Sequence, residues 1–371
     1  MEPIGIYIHI PFCRCKCPYC DFYSLPYGEE LAQNYVEIIC QALLRQPYVQ
    51  RKADTLYFGG GTPSLLSPYL LEKIIHTVGQ VFSLDEGAEI TLEANPGTLT
   101  KDGLRTLRGV GINRLSLGIQ SLRDQELRAL GRIHTAQQAV EMVDAAYEVG
   151  FENLSGDLML GIPYQTPESL EQTIREMGQL PLTHLSAYLL KVEPGTPFAR
   201  RDLTDLCADE DGQADLYLQA VEQLAGEGFL QYEISNFARN GCVSRHNSKY
   251  WRLVDYLGLG PAAHSAMDGR RFYFPRDLQA FLSADSVWDR RIWDGDAGGL
   301  EEMLMLGLRL TQGVTRQQVE HLGGSWETLQ KKARPLAGAG LVELWEDRVA
   351  LTPRGFLVSN PILTELTDIC P

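Results

Sequence analysis

Residues 13 to 20 read CRCKCPYC, four thiols within eight positions, a density that points to metal ligation or to pairing among the cysteines. The chain holds 8 cysteines, and Cys40, Cys207, Cys242 and Cys370 are scattered, so half of the sulfur lies in one stretch. A structural zinc ion usually takes two knuckles well separated in sequence, and no second pair is present. Disulfides are disfavoured across such short spans, and eight cysteines are too few for a disulfide scaffold in a chain of this size. The spacing Cys13-x3-Cys17-x2-Cys20 offers three thiolates on one loop. That suits three irons of a cubane cluster, with the fourth iron open to an exchangeable ligand. Taken alone, the spacing leaves zinc as an alternative.

Other polar residues stand out further along: GGGTPS at 59–64, Glu93 in LEANP, Gln120 in GIQS, Arg132 in LGRIH and Asp157 in GDLMLGIP. Each one singly reads as a turn, a cap or a solvated side chain. Their meaning lies in the elements that must carry them. Strand-like runs at 5–10, 55–60, 89–96, 114–119, 153–163 and 183–190 alternate with helical patterns near 29–45, 68–82, 101–108, 123–130 with 135–149, 167–178 and 209–227. Six such units predict an α/β fold, an open partial (β/α)6 sheet resembling a TIM barrel, with functional residues at the strands' C-terminal ends. The cysteine loop and the glycine run follow the first two strands; Glu93, Gln120 and Asp157 fall late in or after the next three.

After residue 230 the rhythm changes to shorter strand-like pieces with aromatics, YEISNFA, KYWRLVDYLGLG and RRFYF, and from about 299 to helices that end in a short hairpin. The expected organisation is a core over 1–230, a sheet extension over 231–298 and a smaller α+β, winged-helix-like domain over 299–371. The last is read as a packing cap rather than a DNA reader. A net charge of −15 argues against broad nucleic-acid binding, which needs basic surface. No apolar stretch approaches the ~18 residues of a membrane-spanning helix, and no basic leader precedes an apolar run, so the expected location is cytoplasmic.

The stretch YIHIPFCRCKCPYCDFYS resembles the radical S-adenosylmethionine (SAM) superfamily, in which the open iron is chelated by the amino and carboxylate groups of SAM. The resemblance implies Cys13, Cys17 and Cys20 as ligands of a 4Fe-4S cluster, with Cys15 a bystander. It further implies cofactor contacts from Tyr7, Tyr19, Gly60, Gly61, Thr62, Glu93, Gln120, Arg132 and Asp157, with Asp157 on the ribose and Arg132 on the carboxylate.

Within the superfamily the sequence is most similar to the group that contains oxygen-independent coproporphyrinogen III oxidase and related haem chaperones. Two features lean toward the chaperones: Cys20-Asp21-Phe22 where the oxidase continues Cys-x-Cys, and only six residues ahead of Tyr7, read as a shorter arm than the oxidase carries. A third is RHNSKYW at 245–251, which matches the chaperones' H-N-x-x-Y-W motif and implies haem contacts from His246, Asn247, Tyr250 and Trp251. The resemblance therefore implies a haem carrier that delivers to acceptor haemoproteins, respiratory enzymes among them. It also implies a cluster-dependent homodimer, and an electron donor if SAM is cleaved. The alternative is the oxidase itself, a radical enzyme that removes propionate carboxyls.

Overall fold

The computed structural model describes residues 2–48, 51–200 and 203–368; Cys370 lies outside them. Six strands, β1 (Ile4–Ile10), β2 (Ala53–Gly60), β3 (Glu89–Ala94), β4 (Arg114–Gln120), β5 (Asn153–Leu160) and β6 (His184–Leu189), follow one another in sheet order and run parallel. Crossover helices α1 (Glu29–Leu44), α2 (Pro68–Phe82), α3 (Lys101–Gly109), α4 (Ala136–Glu148) and α5 (Pro167–Gln179) separate them, and α6 (Glu210–Gly226) follows β6. Local chemistry starts these helices where the pattern does. Ser67 caps α2 by accepting from Leu70 N, and Thr135 with Gln138 forms a capping box on α4.

Period-two alternation divides each strand between two environments. Leu115, Leu117 and Ile119 of β4 pack into the main core with the helices, whereas Ser116 and Gln120 bond to Asp157 on β5 and Tyr188 on β6. The same division puts Ser155 against His184 and Tyr57 against Glu93, so the concave interior of the sheet is polar.

Among the described residues the sheet has 12 strands rather than the six of the repeating units. At the β6 edge lie β7 (Leu230–Gln231) and β8 (Asn236–Ala238), antiparallel. At the β1 edge β9 (Tyr256–Leu259) adds a further parallel strand, followed by the antiparallel β10 (His264–Met267), β11 (Arg270–Tyr273) and β12 (Ile292–Asp296). One expectation is corrected between these edges. KYW, grouped above with strand-like pieces, ends a helix, α7 (Arg245–Trp251), because the Ser244 side chain accepts from Asn247 N and nucleates the turn despite the aromatics' strand preference.

Beyond 299, α8 (Leu300–Gly307), α9 (Arg316–His321) and α10 (Trp326–Gly338) accompany a three-stranded antiparallel sheet of β13 (Val314–Thr315), β14 (Val342–Leu344) and β15 (Arg348–Leu351). This module is tied to the β7–β8 turn by Ile234 N donating to Arg309 O at 2.9 Å and Thr311 N to Tyr232 O at 3.1 Å. No described helix is long and apolar enough to cross a membrane.

Candidate functional site

The cysteine loop leaves β1 and folds over the C-terminal mouth of the sheet, where it meets the glycine run that leaves β2. The two segments are stitched by backbone bonds, Gly61 N to Ile10 O and Thr62 N to Phe12 O, both 2.8 Å. Such close approach requires glycine. A Cβ at Gly61 would lie 2.6 Å from Phe12 O, and Gly60 has φ +111° with its Cβ position 2.6 Å from the His9 ring.

Cys13, Cys17 and Cys20 are half-buried around the resulting cavity, and Cys15, also at its edge, is exposed. Thr62 Oγ1 lies 3.5 Å from Cys13 Sγ and Arg132 Nη1 lies 3.4 Å from Cys17 Sγ. The side-chain contact of Cys15 is a weak one, 3.9 Å to Lys16 O. Among the described residues no three His, Cys, Asp or Glu side chains converge where one metal ion could sit. A cubane takes one thiolate on each of three irons, and three half-buried thiols around one cavity fit that donor set.

Tyr19, Gly60, Gly61, Thr62, Glu93, Gln120, Arg132 and Asp157 all line this same cavity. Strand ends explain why: Gly60 and Gln120 terminate β2 and β4, and Glu93 and Asp157 are inward residues of β3 and β5. Glu93 accepts from Tyr57 OH at 2.8 Å and Gly60 N at 3.1 Å, and burial pushes its carboxyl up to about 7. Burial likewise raises Asp157 to about 6, against a 3.3 Å bond from Ser116 Oγ. Below them Arg114, 1% exposed, holds a positive charge that favours ionisation of both carboxyls. Arg132 keeps a buried Nε without a partner. A ligand carrying an ammonium, a carboxylate and a ribose meets complementary groups here, so the residues present also fit SAM.

Tyr7 lies beside the cavity rather than on its lining. Its hydroxyl bonds His9 Nδ1 at 3.0 Å and its ring stacks beneath on Tyr57, 6.1 Å between centroids. Tyr7 is an inward residue in the middle of β1, and its ring adjoins Glu93: a Cβ on Gly59 would lie 2.9 Å from Tyr7 Cε2 and 3.1 Å from Glu93 Oε1.

The RHNSKYW residues stand apart from the cavity, beneath this tyrosine stack and toward the opposite end of β2. His246 is 0% exposed and packs on Tyr57 at 5.1 Å. Its Nδ1 is 2.8 Å from Thr55 Oγ1 and its Nε2 2.7 Å from Tyr250 OH, and burial lowers its pKa to about 3. An open imidazole ready for a haem iron is therefore not what this structure holds. Asn247 and Trp251 are partly exposed, Trp251 facing the Arg309 guanidinium, and the half-buried Tyr250 borders a separate cavity of about 320 Å³ with Tyr256, Arg271, Glu302 and Met305.

Residues not anticipated from the sequence are Asn95, Tyr188, Tyr57 and Arg114. Asn95 follows Glu93 by two positions, so it emerges from β3 on the same face; strand periodicity carried that signal. Tyr188, in the run YLL, carried none.

A sheet with this cysteine loop and these strand-end residues defines a radical SAM protein. Residues 7–177 match the Radical SAM superfamily and residues 299–358 the HemN C-terminal domain. The solved coproporphyrinogen III oxidase (HemN) of Escherichia coli superposes with a TM-score of 0.84, covering 98% of this chain and 90% of its own; at 22% identity the likeness is one of fold. Heme chaperone HemW of Escherichia coli is 39% identical over 98% of this chain and 98% of its own. Heme chaperone HemW of Bacillus subtilis is 34% identical over 96% and 97%. The mitochondrial radical S-adenosyl methionine domain-containing protein 1 of Mus musculus is 36% identical over 98% of this chain and 87% of its own. The chain belongs to the HemW family.

Proposed function

We propose that this protein is a haem carrier on a radical SAM core, binding haem and passing it to acceptor haemoproteins. The observation that supports this reading is the near-full-length similarity to relatives named heme chaperones, which extends over the core and the C-terminal module alike. Cys13, Cys17 and Cys20 hold a 4Fe-4S cluster. When bound, the cluster and SAM supply an electron and a cleavable sulfonium bond. Glu93, with Gly60, Gly61 and Thr62, receives the cofactor's ammonium; Arg132 faces its carboxylate, Asp157 and Gln120 its ribose side, and Tyr19 closes the mouth.

Haem is assigned to the α7 motif with roles adjusted to its geometry. His246 braces Tyr250, and Tyr250 faces the cavity it shares with Tyr256 and Met305. A phenol and a thioether are both known donors to haem iron. Asn247 and Trp251 shape the helix that presents Tyr250. The oxidase remains the competing activity, since the cofactor residues serve either.

Anaerobic titration of reconstituted protein with haem, paired with an assay for coproporphyrinogen III oxidation, tests the proposal. Saturable haem binding whose absorption bands change in Tyr256→Phe or Met305→Ala is expected. No haem binding, or formation of protoporphyrinogen, sinks it.

A further inference from the structure

Two of the loop sulfurs have side-chain donors, and both donors meet at one residue. Arg132 Nη2 donates to Asn95 Oδ1 at 2.6 Å, and Asn95 Nδ2 donates to Thr62 Oγ1 at 3.2 Å. Thr62 and Arg132 in turn reach Cys13 Sγ at 3.5 Å and Cys17 Sγ at 3.4 Å. The polarity of this belt is forced. A guanidinium has only donors, so Asn95 turns its oxygen to Arg132 and its nitrogen to Thr62. The Thr62 hydroxyl is then met by a donor and must accept, which leaves its single proton for Cys13. Arg132 Nη2 is also held by Gly118 O at 2.7 Å, which leaves Nη1 to face Cys17 and Tyr19. The junction has no slack, since a Cβ on Gly118 would lie 2.9 Å from Asn95 Oδ1.

We propose that Asn95 is a positioning residue for the cluster, joining Arg132 to Thr62 so that their donors are aimed at the sulfurs of Cys17 and Cys13. The proposal rests on reading the cysteine loop as a 4Fe-4S site. Hydrogen bonds to cluster sulfurs stabilise the more negative, reduced form and so raise the reduction potential. Asn95 accordingly acts on electron entry without touching an iron.

The test is an EPR-monitored redox titration of full-length, anaerobically reconstituted protein without SAM, with iron and sulfide quantified. The variants are Thr62→Val, Asn95→Ala and Asn95→Asp; the last keeps the shape and the acceptor for Arg132 but turns the Thr62 proton away from Cys13. Full cluster content is expected, with a midpoint lowered by about 59 mV, a tenfold change in the oxidised-to-reduced ratio for one electron. The effect of the neutral Asn95→Ala should shrink when Thr62 is already Val, because the proton that Asn95 directs is then gone. An unchanged midpoint in Asn95→Ala or Thr62→Val overturns the proposal. Loss of the cluster from all three variants also overturns it, by assigning the belt to folding. Wild-type protein that takes up no iron and sulfide defeats the cluster reading itself, and this proposal with it.

Discussion

Tyr250 OH sits 2.7 Å from His246 Nε2, and the opposite nitrogen of the same ring sits 2.8 Å from Thr55 Oγ1. His246 thereby clamps α7 to β2 across the floor of the sheet, beneath the stack of Tyr57 and Tyr7. A histidine with both nitrogens engaged and no exposed surface has a structural task in this conformation, whatever its motif does with haem.

His246→Ala should therefore destabilise the protein without cluster or haem by ~2–4 kcal/mol, from a cavity plus two stranded buried hydroxyls. Denaturant unfolding of the apo protein measures this; a change under ~0.5 kcal/mol would contradict the clamp. The haem bands should shift as well, because Tyr250 at the proposed haem cavity loses its brace.

Cys15 should be dispensable. Its sulfur is exposed and lacks the donors that Cys13 and Cys17 have. Cys15→Ser is expected to retain full iron and sulfide after reconstitution, whereas Ala at Cys13, Cys17 or Cys20 abolishes the cluster absorbance. Iron content that falls with Cys15 and survives one of the other three would reassign the ligands.

The contrast between the cysteine loop and α7 shows what the sequence could and could not disclose. The placement of the loop and the glycine run was legible because each sits at a break in strand periodicity, and parallel topology brings such breaks to one rim. The depth of Tyr7 and His246 was not legible, for the converse reason. Residue type and motif say what a side chain can bind, but its depth depends on which end of a strand it faces and what stacks above it. The seventh parallel strand was equally hidden, since β9 reaches β1 from about 250 residues away and no local pattern encodes such a pairing.

Gly61→Ala should be among the more damaging single-methyl changes. Its Cβ would meet Phe12 O at 2.6 Å and Phe12 N at 2.9 Å, backbone atoms of the cysteine loop that cannot swing aside. We expect ~2 kcal/mol or more of lost stability and a reconstituted cluster that loses iron faster on chelator challenge. Gly79→Ala makes the control, since a Cβ there meets nothing within 4 Å and a helical glycine with open space around it gains up to ~1 kcal/mol from alanine.

Glu93 gives the site a pH signature whose sign is fixed by burial. Its folded pKa, about 7, lies above the ordinary 4.5, so the native state holds its proton more tightly than the unfolded chain does. The resulting stabilisation is complete below pH 4.5 and is lost as pH rises through about 7. Glu93→Gln keeps a neutral side chain at every pH. The apo variant should therefore gain on the wild type between pH 5 and 8 by on the order of 1–3 kcal/mol, measured as the difference of their denaturant midpoints at each pH. The buried His246 works the other way, losing stability as pH falls below the ordinary 6.5, but it is common to both proteins and cancels in the difference. A flat difference across that range would mean that Glu93 is ionised throughout. With a cationic ligand bound the advantage should reverse above pH 7, where the carboxylate is the partner that an ammonium requires and the amide is not.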